Sequence, residues 1–459
     1  NATEPKLNKD GRVLIISMPH VSWNHMLNVK TPAIDSLIKK GSIATTSVRT
    51  IGNSAYTGSG YASISAGERA VAPDAALSTF LSPQEKIDGV SAKDLFRREQ
   101  GKTKIESPAA LAPGFQLTIR RNASSEYKSK VGLFAEALDG NNRSIAAFGN
   151  ADSCFLESVE CYARSVGYVA SDSNGIIRNG DLSREGLLKN KTDTPELDMK
   201  VLGDKTQKAL EKNDVVITEC SNLERIDQSR SKTKQNIYWK NFNAAIKECD
   251  SMIGQVMKDI DLSKDNVYII SPSSPSVQKQ TTIFVSAGKG IEPGYTSSST
   301  TRREGVVTLV DLSPTILSSF DIKIPEDMGD NFLSWSGNAK SIQDRKEYLA
   351  KINDQSKIRE MGVNSVIAFM SVMIFIAVLI SILSLSRVTK LRNAAKILSL
   401  MTMSLPILVI LVQPLMRSVV SPLRFMLLFI VVSFLIALVL KYLASKVGYV
   451  KVLIGFAFP

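Results

Sequence analysis

The chain has 459 residues, 44% of them hydrophobic and 22% charged, with a formal net charge of +12. That length exceeds one ordinary domain and supplies enough apolar residues for a large core. The charge is unevenly spread: nine of the 56 Lys and Arg, and none of the 44 Asp and Glu, lie at or beyond Gly362. The residues before that point are close to neutral, so the surplus is no nucleic-acid footprint, and no nucleic-acid partner is expected.

In chain order, short β-branched runs alternate with helical patterns. Strands are expected at Val13–Ser17, Ile145–Gly149, Val215–Glu219, Val267–Ser271 and Thr282–Ser286. Their continuous apolar character (VLIIS, DVVIT, VYIIS) suits strands buried on both faces. Helices are expected at Thr31–Lys40, Gly132–Leu138, Lys200–Glu211, Asn241–Met257 and Leu309–Ser319. Pro32 sits at a first-turn position, where its missing N–H costs nothing. The alternation predicts an α/β domain with a mainly parallel sheet covered by helices. Phe155–Thr194 is polar and without a clear period, and reads as an insertion. Lys340–Met361 is charged and helix-prone, as a juxtamembrane stalk would be.

Beyond Gly362 the apolar segments predict an α-helical transmembrane region. Gly362–Ser386 runs 25 residues without a charge, enough to cross a ~30 Å hydrocarbon layer. Ile397–Met416 forms a second span, kinked at Pro406, and Phe425–Leu443 a third if Lys441 snorkels. A fourth apolar stretch starts at Val452. The expected domains are residues 1–335, a stalk at 336–361 and a membrane region at 362–459, with spans at 362–386, 397–416 and 425–443. The loops Arg387–Lys396 and Lys441–Lys451 carry four and three positive charges, against two in Arg417–Arg424. The positive-inside rule puts the first and third loops in the cytoplasm and the N-terminal domain outside. A multi-pass protein of the plasma membrane is expected, with the lipid bilayer as one partner. Export needs a targeting segment, so the chain is expected to be a piece of a longer protein.

All four cysteines, Cys154, Cys161, Cys220 and Cys249, precede the apolar segments. In an oxidising compartment they allow two disulfides. Cys154–Cys161 with Cys220–Cys249 is the first choice; two other pairings and free thiols stay open. Zinc binding by these cysteines is not expected, because no CxxC pair or nearby histidine accompanies them.

Three stretches carry a family resemblance. The first is RVLIISMPHVSW followed by TPAIDSLIKKGSIATTSVRT, and the second is NFNAAIKECDSMIGQVMKDID followed by NVYIIS. The third is TTIFVSAGKGIEPGYTSSSTTRREGVVTLVDLSPTILSSFDIKIPEDMGDNFL. In this order they resemble the alkaline phosphatase superfamily, which includes phosphatases, sulfatases, nucleotide pyrophosphatases and lipid phosphoethanolamine transferases. They cover most of Arg12–Leu333. The resemblance implies a three-layer α/β/α domain, two metal ions held by Asp and His, and a Thr or Ser nucleophile whose pKa those ions lower.

Against that pattern the ligand positions are substituted. The Asp expected after the first strand falls at Met18-Pro19, and the "SDHG" position reads Ser271-Pro272-Ser273-Ser274. The expected Asp–His pair falls within 220–228, whose carboxylates Glu224 and Asp227 lack a following His. The late His is replaced by the stretch through Arg302 and Arg303. The chain has two histidines, His20 and His25, both beside the first strand. The usual dinuclear site cannot be assembled from them, so no metal or other cofactor is expected.

The nucleophile position is kept. Counting back from Gly67, which closes YASISAG, the resemblance points to Thr57. A helix start there would offer backbone donors, so Thr57 with Gly58 and Ser59 is a candidate anion cradle, with Arg302 and Arg303 filling the emptied metal space. As a plain helix start, Thr57 or Ser54 is simply a cap. Three readings follow. The first is a non-catalytic, alkaline-phosphatase-like ectodomain that binds other envelope membrane proteins or surface glycans. The second is an active envelope phosphotransferase or phosphodiesterase holding zinc or another divalent metal through His20, Glu219, Glu224 and Asp227. A transporter is the third, with little support because the spans show no acidic residue.

Overall fold

A computed structural model describes residues 10–53, 55–73, 79–101, 106–189, 194–275, 280–337, 340–383 and 422–447. The chain divides into two compact units, residues 1–353 and 354–459.

Among the described residues of the first unit, ten strands join one sheet. They are β1 (Val13–Ser17), β2 (Ser42–Ser47), β3 (Ile145–Phe148), β4 (Asn179–Asp181), β5 (Val215–Glu219), β6 (Asn266–Ile270), β7 (Thr282–Gly288), β8 (Gly294–Ser298), β9 (Val306–Thr308) and β10 (Leu333–Ser336). The spatial order is β10-β8-β2-β7-β6-β1-β5-β3-β4, with β9 also paired to β2. The central run β6-β1-β5-β3-β4 is parallel throughout. Strand β7 is antiparallel to both neighbours, and β10 pairs antiparallel with β8. The five strands expected from sequence are all present, within two residues at each end.

The period-2 alternation of side chains explains how the sheet is covered. Val13 and Ile15 of β1, with Val215, Ile217, Tyr268, Ile270 and Phe284, enter one apolar cluster. On that face lie helices α2 (Thr57–Ala66), α3 (Leu133–Asp139) and α7 (Leu312–Ser319). Leu14 and Ile16, with Val216, Val267, Ile269, Ile283 and Val285, enter the other cluster. There the cover is α1 (Pro32–Lys40), α4 (Met199–Leu210) and α6 (Gln235–Val256). Both faces of the central strands are therefore dry, as their unbroken apolar sequences require.

Three strands carry no apolar run: SIATTS, GYTSS and LSWS. In the first of them Ser42, Thr45 and Thr46 are buried and donate to backbone carbonyls. Thr45 Oγ1 donates to Thr282 O at 3.2 Å, and Ser42 Oγ donates to Glu292 O at 2.6 Å. A hydrophobic pattern cannot report strands satisfied in this way.

Phe155–Thr194, expected to be an insertion, instead supplies the edge strand β4 and a buried ionic cluster. Arg164 is fully buried and spans two carboxylates: its Nη2 donates to Asp152 Oδ2 and to Glu85 Oε1, both at 2.8 Å. Arg184 Nε reaches the same Asp152 Oδ2 at 2.7 Å. Tyr162 lies beneath both guanidinium groups, at 5.1 and 4.2 Å. Burial would raise the Asp152 carboxyl, but Arg164 and Arg184 hold it below the usual carboxylate range. The polar composition here serves an internal network.

The disulfides are Cys154–Cys161 and Cys220–Cys249, with Cα separations of 5.1 and 5.9 Å. The second is buried and ties the residue after β5 to the middle of α6. Replacing both Cys220 and Cys249 with alanine is expected to lower the unfolding free energy by about 2–4 kcal/mol. Urea unfolding measures it, and reductant should shift the wild-type midpoint in the same direction.

Helix α8 (Ile342–Leu383) begins within the region read as a stalk. Its first turns belong to the first unit: Arg345 is buried and donates to Ile38 O at 2.8 Å and Gly41 O at 3.0 Å, the carboxyl end of α1. Lys346 pairs with Asp35. In the second unit, the rest of α8 and α9 (Pro422–Val447) are helical and expose large apolar side chains. Val372, Phe375 and Ile382 on one, and Leu427, Val431 and Leu435 on the other, are exposed. Side chains are described for only part of these helices, and over those residues no helix is long and apolar enough to cross a membrane. The span expected at 397–416 and the apolar stretch from Val452 lie outside the described residues.

Candidate functional site

Strands β6, β1 and β5 are adjacent and parallel, in a register that sets Ser17 level with both Ile270 and Glu219. Their carboxyl ends therefore open at one place, where open α/β sheets gather ligands. The turn after β1 carries His20, the segment after β6 carries Ser273 and Ser274, and β5 leads into the short helix α5 (Asn222–Gln228). Glu224 and Asp227 stand three residues apart on α5, on one face of the helix.

Helix α2 brings Thr57 to the same place. It can approach because Gly60 carries no side chain: a Cβ there would lie 2.0 Å from Pro272 O. Gly67 ends the helix in a left-handed conformation (φ 60°), its N–H donating to Ile64 O, a geometry glycine adopts without steric penalty. Thr57 is the first helical residue and makes no cap; Tyr56 precedes it at the cap position. The helix-cap expectation for Thr57 thus fails, because its hydroxyl has tertiary partners. Ser54 lies outside the described residues.

Thr57 is 2% exposed and donates to Glu224 Oε2. Its oxygen lies 2.9 Å from Ser273 Oγ and 3.5 Å from His20 Nε2. His20 contacts Glu224 Oε2 through Nε2 at 2.7 Å and Ser274 O through Nδ1 at 2.8 Å, with Asp227 Oδ2 at 3.6 Å from Nδ1. Burial alone would lower the His20 pKa, but the Glu224 and Asp227 charges raise it to about 9. At neutral pH the ring is an imidazolium that donates from both nitrogens. Glu224, which burial would raise, is held below the usual range by His20 and the Thr57 hydrogen bond. The His20 backbone has φ 63°, uncommon for a non-glycine residue. Its own N–H, bonded to Ser273 O at 3.1 Å, helps hold that turn.

Beneath lies a second acid. Glu219, at the end of β5, accepts from Tyr61 at 2.5 Å and from Ser221. Burial raises its pKa to about 7, against the pull of those two hydrogen bonds. Above, a cleft of about 760 Å³ is lined by His20, Tyr56, Glu224, Asp227, Arg230 and Tyr238, among others. Arg230 lies 4.6 Å over the Tyr238 ring, and Tyr238 donates to Asp227 Oδ1 at 2.9 Å.

Of the residues singled out in the sequence, the fold brings together Thr57, His20, Glu224 and Asp227. Gly58 and Ser59 follow Thr57, but the Ser59 hydroxyl accepts from Ala72 N at 3.1 Å and so makes a structural bond. Arg302 and Arg303 are exposed in the turn between β8 and β9 and do not line the cleft. They do not fill the space beside Thr57, because that turn is closed on its own backbone by Arg302 N to Ser298 O at 2.8 Å. His25 accepts from Ser22 N and packs against Trp239 and Phe242, away from the cluster. Ser273, Arg230 and Tyr238 were not singled out; for Ser273 the match of Ser271–Ser274 to the family's ligand tetrapeptide was the available signal.

The two metal ions implied by the resemblance do not fit these donors. Met18, Pro272 and Ser273 stand where the resemblance implies carboxylates and imidazole, and both nitrogens of the one imidazole here already have oxygen partners, Glu224 Oε2 and Ser274 O. Among the described residues no group of three or more His, Cys, Asp or Glu is placed to hold a metal ion.

No protein-family model matches the chain, and no curated protein does. Solved structures similar to it include a protein from Pyrococcus horikoshii, at 14% identity over 70% of this chain and 99% of that one, with a TM-score of 0.40. A lipoteichoic acid synthase from Listeria monocytogenes is similar at 13% identity over 70% and 76%, with a TM-score of 0.40. A protein in the alkaline phosphatase superfamily from Vibrio parahaemolyticus is similar at 13% identity over 72% of each chain, with a TM-score of 0.41.

Proposed function

We propose that this chain is a non-catalytic, alkaline-phosphatase-like binding protein of the cell envelope, held in the membrane by its C-terminal helices. Superfamily membership rests on the three motif stretches and on where the fold puts Thr57, His20 and Ser273. One observation carries the non-catalytic reading: the threonine at the nucleophile position is bonded to Glu224, within a His20–Glu224 ion pair. Both His20 nitrogens and Glu224 Oε2 are engaged within this cluster, and Met18, Pro272 and Ser273 add no carboxylate or imidazole to hold the cations that would activate Thr57. Membrane anchoring is supported by the charge-free sequence from Gly362 to Ser386 and by the exposed apolar side chains of α8 and α9. Such surface is costly in water and favoured in hydrocarbon. The two disulfides suit an extracytoplasmic compartment.

The test is elemental analysis of the purified full chain, with assays on para-nitrophenyl phosphate and bis-para-nitrophenyl phosphate. The expected result is no stoichiometric zinc, manganese or magnesium and no turnover above background, unchanged by Thr57→Ala. Stoichiometric metal together with turnover abolished by Thr57→Ala would establish instead the phosphotransferase or phosphodiesterase reading, with His20, Glu224 and Asp227 as ligands.

A further inference from the structure

We propose that the lip of the cleft, residues 229–240, is a docking surface for an acidic glycan: a polysaccharide bearing carboxylate, sulfate or phosphate groups. The inference rests on the cleft being a binding site, as proposed above, and names its ligand class. Arg230, Lys232, Lys234 and Lys240 occur in a stretch that has no acidic residue between Asp227 and Glu248. Lys232, Lys234 and Lys240 are exposed, and no ion pair among the described residues involves them. Arg230 is preorganised over Tyr238 and Trp239, at 4.6 and 5.3 Å, and its partners Asp227 and the Tyr238 hydroxyl engage only Nη1. A guanidinium fixed on aromatic rings with N–H groups to spare is suited to planar acidic groups.

The lip is continuous with the cleft, whose wall includes Arg230, Thr233 and Gln235. Within it the charges cancel: Glu224 is paired with His20, and Asp227 lies near both His20 and Arg230. The floor therefore offers hydrogen-bonding groups without net charge, which matches hydroxyls, while the lip attracts anions. A sugar polymer meets both demands along its length. A lipid surface is flat and cannot follow a cleft, and nucleic acid does not meet a disulfide-bonded extracytoplasmic domain.

The full chain in detergent is to be tested against immobilised dextran sulfate, neutral dextran, a DNA duplex and phosphatidylglycerol nanodiscs. Dextran sulfate should bind and neutral dextran should not, with affinity falling as salt rises. Lys232→Glu/Lys234→Glu/Lys240→Glu should weaken binding by about tenfold or more. The control Lys39→Glu/Lys128→Glu/Lys208→Glu changes charge equally on exposed residues outside the cleft and should change affinity by less than about twofold. Gln235→Trp, which narrows the mouth, should also weaken binding. Equal losses in the two triple variants, no effect of Gln235→Trp, or tighter binding to duplex or nanodiscs than to dextran sulfate would overturn the proposal. None of these outcomes alters the metal content or turnover, so failure here is separable from failure of the non-catalytic reading.

Discussion

Replacing Arg164 with methionine is expected to lower the unfolding free energy by about 3–5 kcal/mol, making it among the most damaging single changes in the domain. The side chain is fully buried, and its removal leaves Asp152, itself fully buried, with Arg184 as its one ion-pair partner beside the Ala163 N–H, while Glu85 loses both of its guanidinium contacts. Burying a carboxylate without a full complement of partners costs more than the lost attraction. Arg164→Lys is expected to rescue little, because one ammonium cannot bridge two carboxylates as the fork does. Adding Asp152→Asn and Glu85→Gln to Arg164→Met should recover part of the loss, since no carboxylate is then stranded and only Arg184 gives up a charged partner. Urea unfolding midpoints of the four proteins measure this. Equal stability of wild type and Arg164→Met would mean that the network is not formed.

The second large effect concerns the cleft. Glu224→Gln removes the main counter-charge of a buried imidazolium and is expected to cost about 3–5 kcal/mol near neutral pH. Because His20 is raised from 6.5 to about 9, the native state holds its proton more tightly than the unfolded state does. Its stabilisation is complete below pH 6.5 and is lost as pH rises through 9. Glu219, raised from 4.5 to about 7, has the same sign: the unfolded state ionises first, so stability falls between those values. Lowered carboxyls such as Glu224, Asp152 and Asp265 act oppositely and lose their contribution as pH falls through their depressed native values. Stability should therefore peak at mildly acidic pH, about 5–6, and decline towards 9. In Glu224→Gln the decline between 6.5 and 9 should flatten, so the gap to wild type narrows in alkali. Thermal unfolding across pH 4–10 measures both curves. A gap that stays constant with pH would show that the His20–Glu224 pair is not ionic.

The central strands were legible because their burial on two faces leaves a sequence with no alternative: VLIIS, VVITE and NVYII are apolar where a half-exposed strand would alternate. Helix α1 was legible from Thr31-Pro32 and its apolar spacing. Strands such as Ser42–Ser47 were hidden because hydroxyls satisfied by neighbouring backbone carry the composition of a loop. Phe155–Thr194 misled for a related reason: Arg164 and Arg184 balance Asp152 and Glu85 inside the fold, and nothing along the chain shows that they will meet.

Although the disulfide pairing stayed open, the sequence by itself determined the α/β class and the identities of Met18, Pro272 and Ser273 at positions where the resemblance implies metal ligands. Those follow from local pattern and residue identity, which need no partner to be read. Only the tertiary structure decided which side chains meet at the ends of the central strands. His20, Thr57, Glu224 and Ser273 lie up to about 250 residues apart in the chain, and their meeting depends on three parallel strands ending in register and on Gly60 letting a helix close against Pro272. The protonation of His20 depends on that convergence too, because a pKa is set by the charges and the burial around a group and not by its neighbours in sequence.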